Sequence, residues 1–131
     1  MSLIATAALD STTGYAQKIE AGGHALTADE AVAHGGTNTG PSPYELLLSA
    51  LGACTAITLR MYAERKKWEL GRVHVALKLE KSADGADRIE RTLTFGAPLS
   101  EEQRARLAEI AEKTPVTKTL KTGAAIHTTL R

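Results

Sequence analysis

The chain reads as an α+β protein with a mainly antiparallel sheet. Three observations predict it. Short alternating segments fill the first 33 residues, a long apolar helical pattern follows from Ser42, and a second alternating pair then leads into shorter helical patterns. At 131 residues the chain fits one domain, 1–131, large enough to bury a core.

The first segment, Ile4 to Leu9, is a candidate strand with Asp10 to Gly14 as its turn. Tyr15, Gln17 and Ile19 share one face of a second strand, and His24, Leu26 and Ala28 share one face of a third. Gly22-Gly23 between them is a two-residue hairpin signal.

Helix 1 has a strong start. Ser42 is the N-cap, Pro43 takes the first helical position where its missing N–H costs nothing, and Glu45 completes a capping box. The pattern runs to about Lys67, where Trp68-Glu69-Leu70-Gly71 ends it. Gly52 inside this helix costs roughly 1 kcal/mol relative to Ala, which predicts another backbone packed close by.

Val73 to Lys81 alternates, with Val73, Val75, Leu77 and Leu79 on one face. After a turn containing Asp84-Gly85, Arg88 to Phe95 alternates again, with Ile89, Leu93 and Phe95 inward. Together they predict a half-exposed antiparallel hairpin. Ser100 and Gln103 form a second capping box, and Leu107, Ile110 and Ala111 make the stripe of helix 2. Thr114 caps a short third helix with Pro115 at its first position, ending near Lys121 before Gly123. Ala124 to Leu130 is expected to close the chain as a strand.

Helix 1 is apolar on most sides, more than one small sheet and a short helix can cover. Its leftover face predicts a homodimer with helix 1 in the shared core.

Composition narrows the function. Hydrophobic residues make up 43% and charged residues 24%, and the net charge is +1, so no broad basic face is offered to nucleic acid. The densest basic run, Arg65-Lys66-Lys67, falls at a helix end, where cations complement the dipole. The N-terminal residues have no basic region of the secretory kind. The longest apolar stretch, Leu46 to Leu59, is interrupted by Ser49, Gly52, Thr55 and Thr58 and reads as too short for a bilayer. A single cysteine cannot form an internal disulfide, and a cytoplasmic setting without membrane contact is expected.

That cysteine, Cys54, is either packing or a nucleophile. It shares a helix face with Leu47, Ala50, Leu51 and Met61. Glu45 lies nine residues earlier, about 900° around a straight helix, and its capping role accounts for it within one chain. His24, His34, His74 and His127 show no metal-ligand spacing, so no metal or cofactor is expected. Gly35-Gly36 and Gly40 precede a helix start, but no GxxxxGK(S/T) or GxGxxG accompanies them. No serine sits in a GxSxG elbow.

The segment GPSPYELLLSALGACTAITLRMYA, with the later EEQRARLAEIAEKTPVTKTL, resembles the OsmC/Ohr family of osmotically inducible and organic-hydroperoxide-resistance proteins. The resemblance spans nearly the whole chain and implies an interlocked homodimer with two sites at the subunit interface. It also implies that Cys54 matches the cysteine that attacks the hydroperoxide O–O bond. The second cysteine of active members falls where this chain has Thr114, so the two-cysteine cycle has no second sulfur. Active members also carry an arginine in the N-terminal half, whereas the first arginine here is Arg60, and a glutamate ten residues before the cysteine, where Tyr44 stands and Glu45 is displaced by one.

Two readings follow. In one, Cys54 is oxidised by an organic hydroperoxide, lipid-like or aromatic to suit the apolar surroundings, and is reduced by an external thiol. The thiolate would be stabilised by His24, His34, Lys18, or the helix beginning at Thr114 in the dimer. In the other, the protein is a non-catalytic small-molecule-binding dimer.

Overall fold

Backbone pairing sorts the strands into two antiparallel sheets, one in each of two units formed by residues 1–47 and 48–131. The computed structural model describes every residue, Met1–Arg131.

The first unit holds β1 (Ala7–Asp10), β2 (Gln17–Ala21) and β3 (His24–Ala28), in that order across the sheet. β1 pairs with β2 from Ala7↔Ala21 to Asp10↔Lys18, and β2 with β3 from Gln17↔Ala28 to Ala21↔His24. Gly22 and Gly23 make the turn with φ of 58° and 80°. Positive φ at both central residues matches the twist of the flanking strands, which is why this hairpin takes two glycines. The first strand begins at Ala7 rather than Ile4, and Leu3 and Ile4 are exposed.

A short 3-10 turn, Val32–His34, leads into a loop built around Asp29. The buried Asp29 carboxylate accepts from the hydroxyls of Thr37 (2.6 Å) and Thr39 (2.7 Å) and from the amides of Glu30, Thr37 and Thr39. These donors, the Thr37 hydroxyl foremost, hold its carboxyl far below the usual carboxylate range. A Cβ on Gly36 would collide with the Glu30 carbonyl, and one on Gly40 with that of Thr27. The glycines that resemble a phosphate cradle in the sequence thus serve close backbone approach, and the amides of Thr37 and Thr39 are committed to Asp29.

Helix α1 (Pro43–Lys66) starts with the expected capping box: the Ser42 amide donates to Glu45 Oε1 (2.9 Å) and the Glu45 amide to Ser42 Oγ (3.3 Å). It ends as Lys67 turns left-handed (φ 59°) and the Trp68 amide returns to the Ala63 carbonyl at 2.9 Å. That is a Schellman closure with lysine in the place glycine favours. At 24 residues the helix is long and apolar enough to cross a bilayer by length and composition, contrary to the reading of its central stretch as too short.

In the second unit β4 (Val73–Lys81) and β5 (Asp87–Phe95) pair from Val73↔Phe95 to Lys81↔Asp87. The core lies between this hairpin, α1 and α2 (Glu101–Ala111). Leu59, Ala63, Leu70 and Leu107 are buried, with Val73, Leu93, Phe95 and Ile110 packed around them. Tyr62 and Trp68 meet edge to face, centroids 5.5 Å apart. The Ser100–Gln103 capping box opens α2 as expected. At Gly52 the close neighbour is a side chain rather than a backbone: a Cβ there would lie 2.9 Å from Leu77 Cδ1.

Helix α3 (Pro115–Thr122) is capped by Thr114 and followed by Gly123. The strand expected over Ala124–Leu130 is absent. A strand needs a neighbour to take its backbone bonds, and none in this chain pairs with it, so Ile126 and Leu130 stand exposed.

Candidate functional site

The start of α3 is brought onto the thiol-bearing face of α1. A helix leaves its first amides without intrahelical partners, and each must go somewhere. Pro115 has no N–H. The Thr117 amide donates to the Thr114 hydroxyl at 3.3 Å, and the Lys118 amide closes the first turn onto the Thr114 carbonyl at 2.9 Å. The Val116 amide alone turns outward, donating to Cys54 Sγ at 3.5 Å. Cys54 is partly buried, and the Thr58 hydroxyl, one turn along α1, stands 4.0 Å from its sulfur. The sulfur thus faces a backbone N–H at the N-terminal end of α3.

Thr114 is wholly buried. Its hydroxyl lies 2.6 Å from that of Thr117, so it is committed to the cap of α3. Glu45 is committed to Ser42 at the start of α1, and the backbone N–H of Ser42 holds its carboxyl below the usual range. His24, His34 and Lys18 all lie exposed in the first unit. The start of α3, one of the stabilisers the sequence suggests, lies against the sulfur within the same chain.

One residue near the site escapes the sequence reading. Arg91, in β5 opposite Leu77, points its nearly buried guanidinium into the space between the three helices. Nη1 donates to the hydroxyls of Thr55 (2.9 Å) and Thr117 (3.0 Å), and Nη2 to the Ala111 carbonyl (2.9 Å) and Glu112 (3.2 Å). Lys121 closes on the same Glu112 carboxylate at 2.6 Å. Lys121 first, and Arg91 after it, hold that carboxyl below its usual range. The signal was present in the alternation: position 91 shares the inward phase of Ile89, Leu93 and Phe95, and a cation there demands partners.

The comparisons with known proteins converge on one family. The family model described as OsmC-like protein matches residues 36–129. No curated protein matches the chain. Among solved structures, a Psychrobacter arcticus protein aligns with a TM-score of 0.78 at 17% identity, covering 91% of this chain and 90% of that one. An OsmC like protein from Mycoplasma pneumoniae gives 0.75 at 22% identity, covering 94% and 89%. The organic hydroperoxide resistance protein OhrB of Bacillus subtilis gives 0.63 at 24% identity, covering 92% and 93%. At these identities the structures establish a shared fold, and the family match over most of the sequence supplies the rest. The chain belongs to the OsmC-like protein family.

Proposed function

We propose that this protein is a one-cysteine peroxidase of organic hydroperoxides, with Cys54 as nucleophile and an external thiol as reductant. The observation that carries the reading is the Val116 amide on Cys54 Sγ. In the first step the thiolate attacks the outer oxygen of ROOH. The S–O bond forms as the O–O bond breaks, and the leaving alkoxide takes a proton to give ROH. The sulfur is then a sulfenic acid, two electrons oxidised. An external thiol condenses with it, releasing water and leaving a mixed disulfide. A second thiol attacks that disulfide, frees Cys54 and departs as the oxidised reductant. Val116 N–H serves the thiolate before attack, while Thr114 holds that amide in place through the cap. Glu45 acts as a cap of α1 in this scheme.

The working unit in this proposal is a soluble cytoplasmic homodimer. Ile57 and Met61 on α1 are 58% and 53% exposed.

The test is consumption of cumene hydroperoxide with dithiothreitol as reductant. Turnover that vanishes in Cys54→Ser, with cumene hydroperoxide protecting Cys54 from alkylation, is the expected result. A folded protein that neither consumes the peroxide nor is protected by it overturns the enzyme reading in favour of a non-catalytic binding protein. That second reading draws on Thr114, whose hydroxyl replaces the sulfur an internal disulfide would need. Sedimentation of a single two-chain species supports the dimer. A monomer, or protein recovered only with vesicles, overturns it.

A further inference from the structure

We infer that Arg91 is a positioning residue for the Cys54 thiol, fixing α1 and α3 so that the Val116 amide stays on the sulfur. Its Nη1 bridges the hydroxyls of Thr55 and Thr117, the residues immediately after Cys54 and Val116 in the chain. Each bridged residue is fully buried or nearly so, at 0% and 5% exposure, which leaves little freedom for the two helix segments to slide. Nη2 ties the same guanidinium to the Ala111 carbonyl, at the end of the helix that runs into α3. A planar fork with donors at fixed angles can hold three helices in one register, and a point-charge ammonium cannot. Thr55 also donates its own proton to the Leu51 carbonyl at 2.7 Å, so its oxygen is turned to accept from Arg91.

This inference deepens the proposed thiol chemistry and rests on it for the reaction served, but its test does not require turnover. The test is the rate of Cys54 alkylation by iodoacetamide against pH, read beside the NMR shift of the Val116 amide. In Arg91→Met the alkylation rate at neutral pH falls about tenfold, as for loss of one charge-assisted hydrogen bond, its profile moves to higher pH, and the Val116 amide shifts. Arg91→Lys keeps the charge and fails to restore the rate. Thr117→Val reproduces the loss, while Thr117→Ser keeps the wild-type profile.

A folded Arg91→Met with an unchanged profile and an unmoved Val116 amide overturns the inference, as does full rescue by Arg91→Lys. Should the Arg91 variants not fold, the contrast of Thr117→Val with Thr117→Ser decides by the same readout. If alkylation responds as stated but cumene hydroperoxide is not consumed by the wild type, the peroxidase reading fails and the positioning role stands.

Discussion

The Val116 amide and the Cys54 sulfur meet across 62 residues of chain, 3.5 Å apart. Nothing in either local sequence announces the meeting. It depends on Thr114 capping α3 while Pro115 withholds a competing donor, so a single amide remains for the sulfur.

Removing that cap is therefore expected to act on stability and on the thiol together. Thr114→Ala should cost about 1–2 kcal/mol, the upper part of the range for a lost N-cap, because the hydroxyl is buried and also bonded to Thr117. Denaturant titration measures the cost, and alkylation of Cys54 should slow in the same variant. Thr114→Ser should retain both properties.

Asp29 gives a pH signature. Its carboxyl is held low by five donors in the folded loop, so its contribution to stability is full above the unfolded value of about 4 and is lost as the pH falls below it. Asp29→Asn should lower the melting temperature at neutral pH. Melting curves of the two proteins should converge as the solution is acidified, and a gap that persists undiminished in acid would contradict the assignment.

Two glycines should respond oppositely to alanine. At Gly40 the added methyl meets the Thr27 carbonyl, which is backbone and cannot give, so Gly40→Ala should destabilise by about 2 kcal/mol or more. At Gly52 it meets the flexible tip of Leu77, and about 1 kcal/mol of helix propensity works in its favour, so Gly52→Ala should be close to neutral or stabilising. Thermal melts of the pair provide the comparison.

Lys67 closes α1 with a positive φ that costs a side-chain-bearing residue about 1–2 kcal/mol. Lys67→Gly relieves that strain but adds freedom to the unfolded chain. The net gain should be at most about 1 kcal/mol, read from the denaturant midpoint.

The parts of this protein legible in its sequence are those decided by neighbours along the chain. Ser42 with Glu45, Ser100 with Gln103, Thr114 with Pro115, and Gly22 with Gly23 each satisfy their own backbone groups within a few residues, and all four appear where the sequence puts them. The β4–β5 alternation was equally plain, since its period alone separates the two faces. What escaped depends on partners far away in sequence. Arg91 reaches Thr55 over 36 positions, and Asp29 gathers a loop whose glycines alone suggested another use. Lys67 escaped for a different reason: a lysine in the left-handed region goes against its own preference, and the return of the Trp68 amide to the Ala63 carbonyl accompanies it there.

In the proposed cycle, having Cys54 as the single cysteine sets the timescale. A second sulfur held on the same chain would act at high effective concentration, discharging the oxidised cysteine before it met anything else. Without one, electrons arrive only by diffusive encounter, so the waiting time shortens in proportion to the small-molecule thiol supplied. The rate in the proposed cycle should stay first order in that thiol, and where it is scarce a second hydroperoxide molecule should oxidise the Cys54 sulfenic acid to the sulfinic acid, releasing a second ROH.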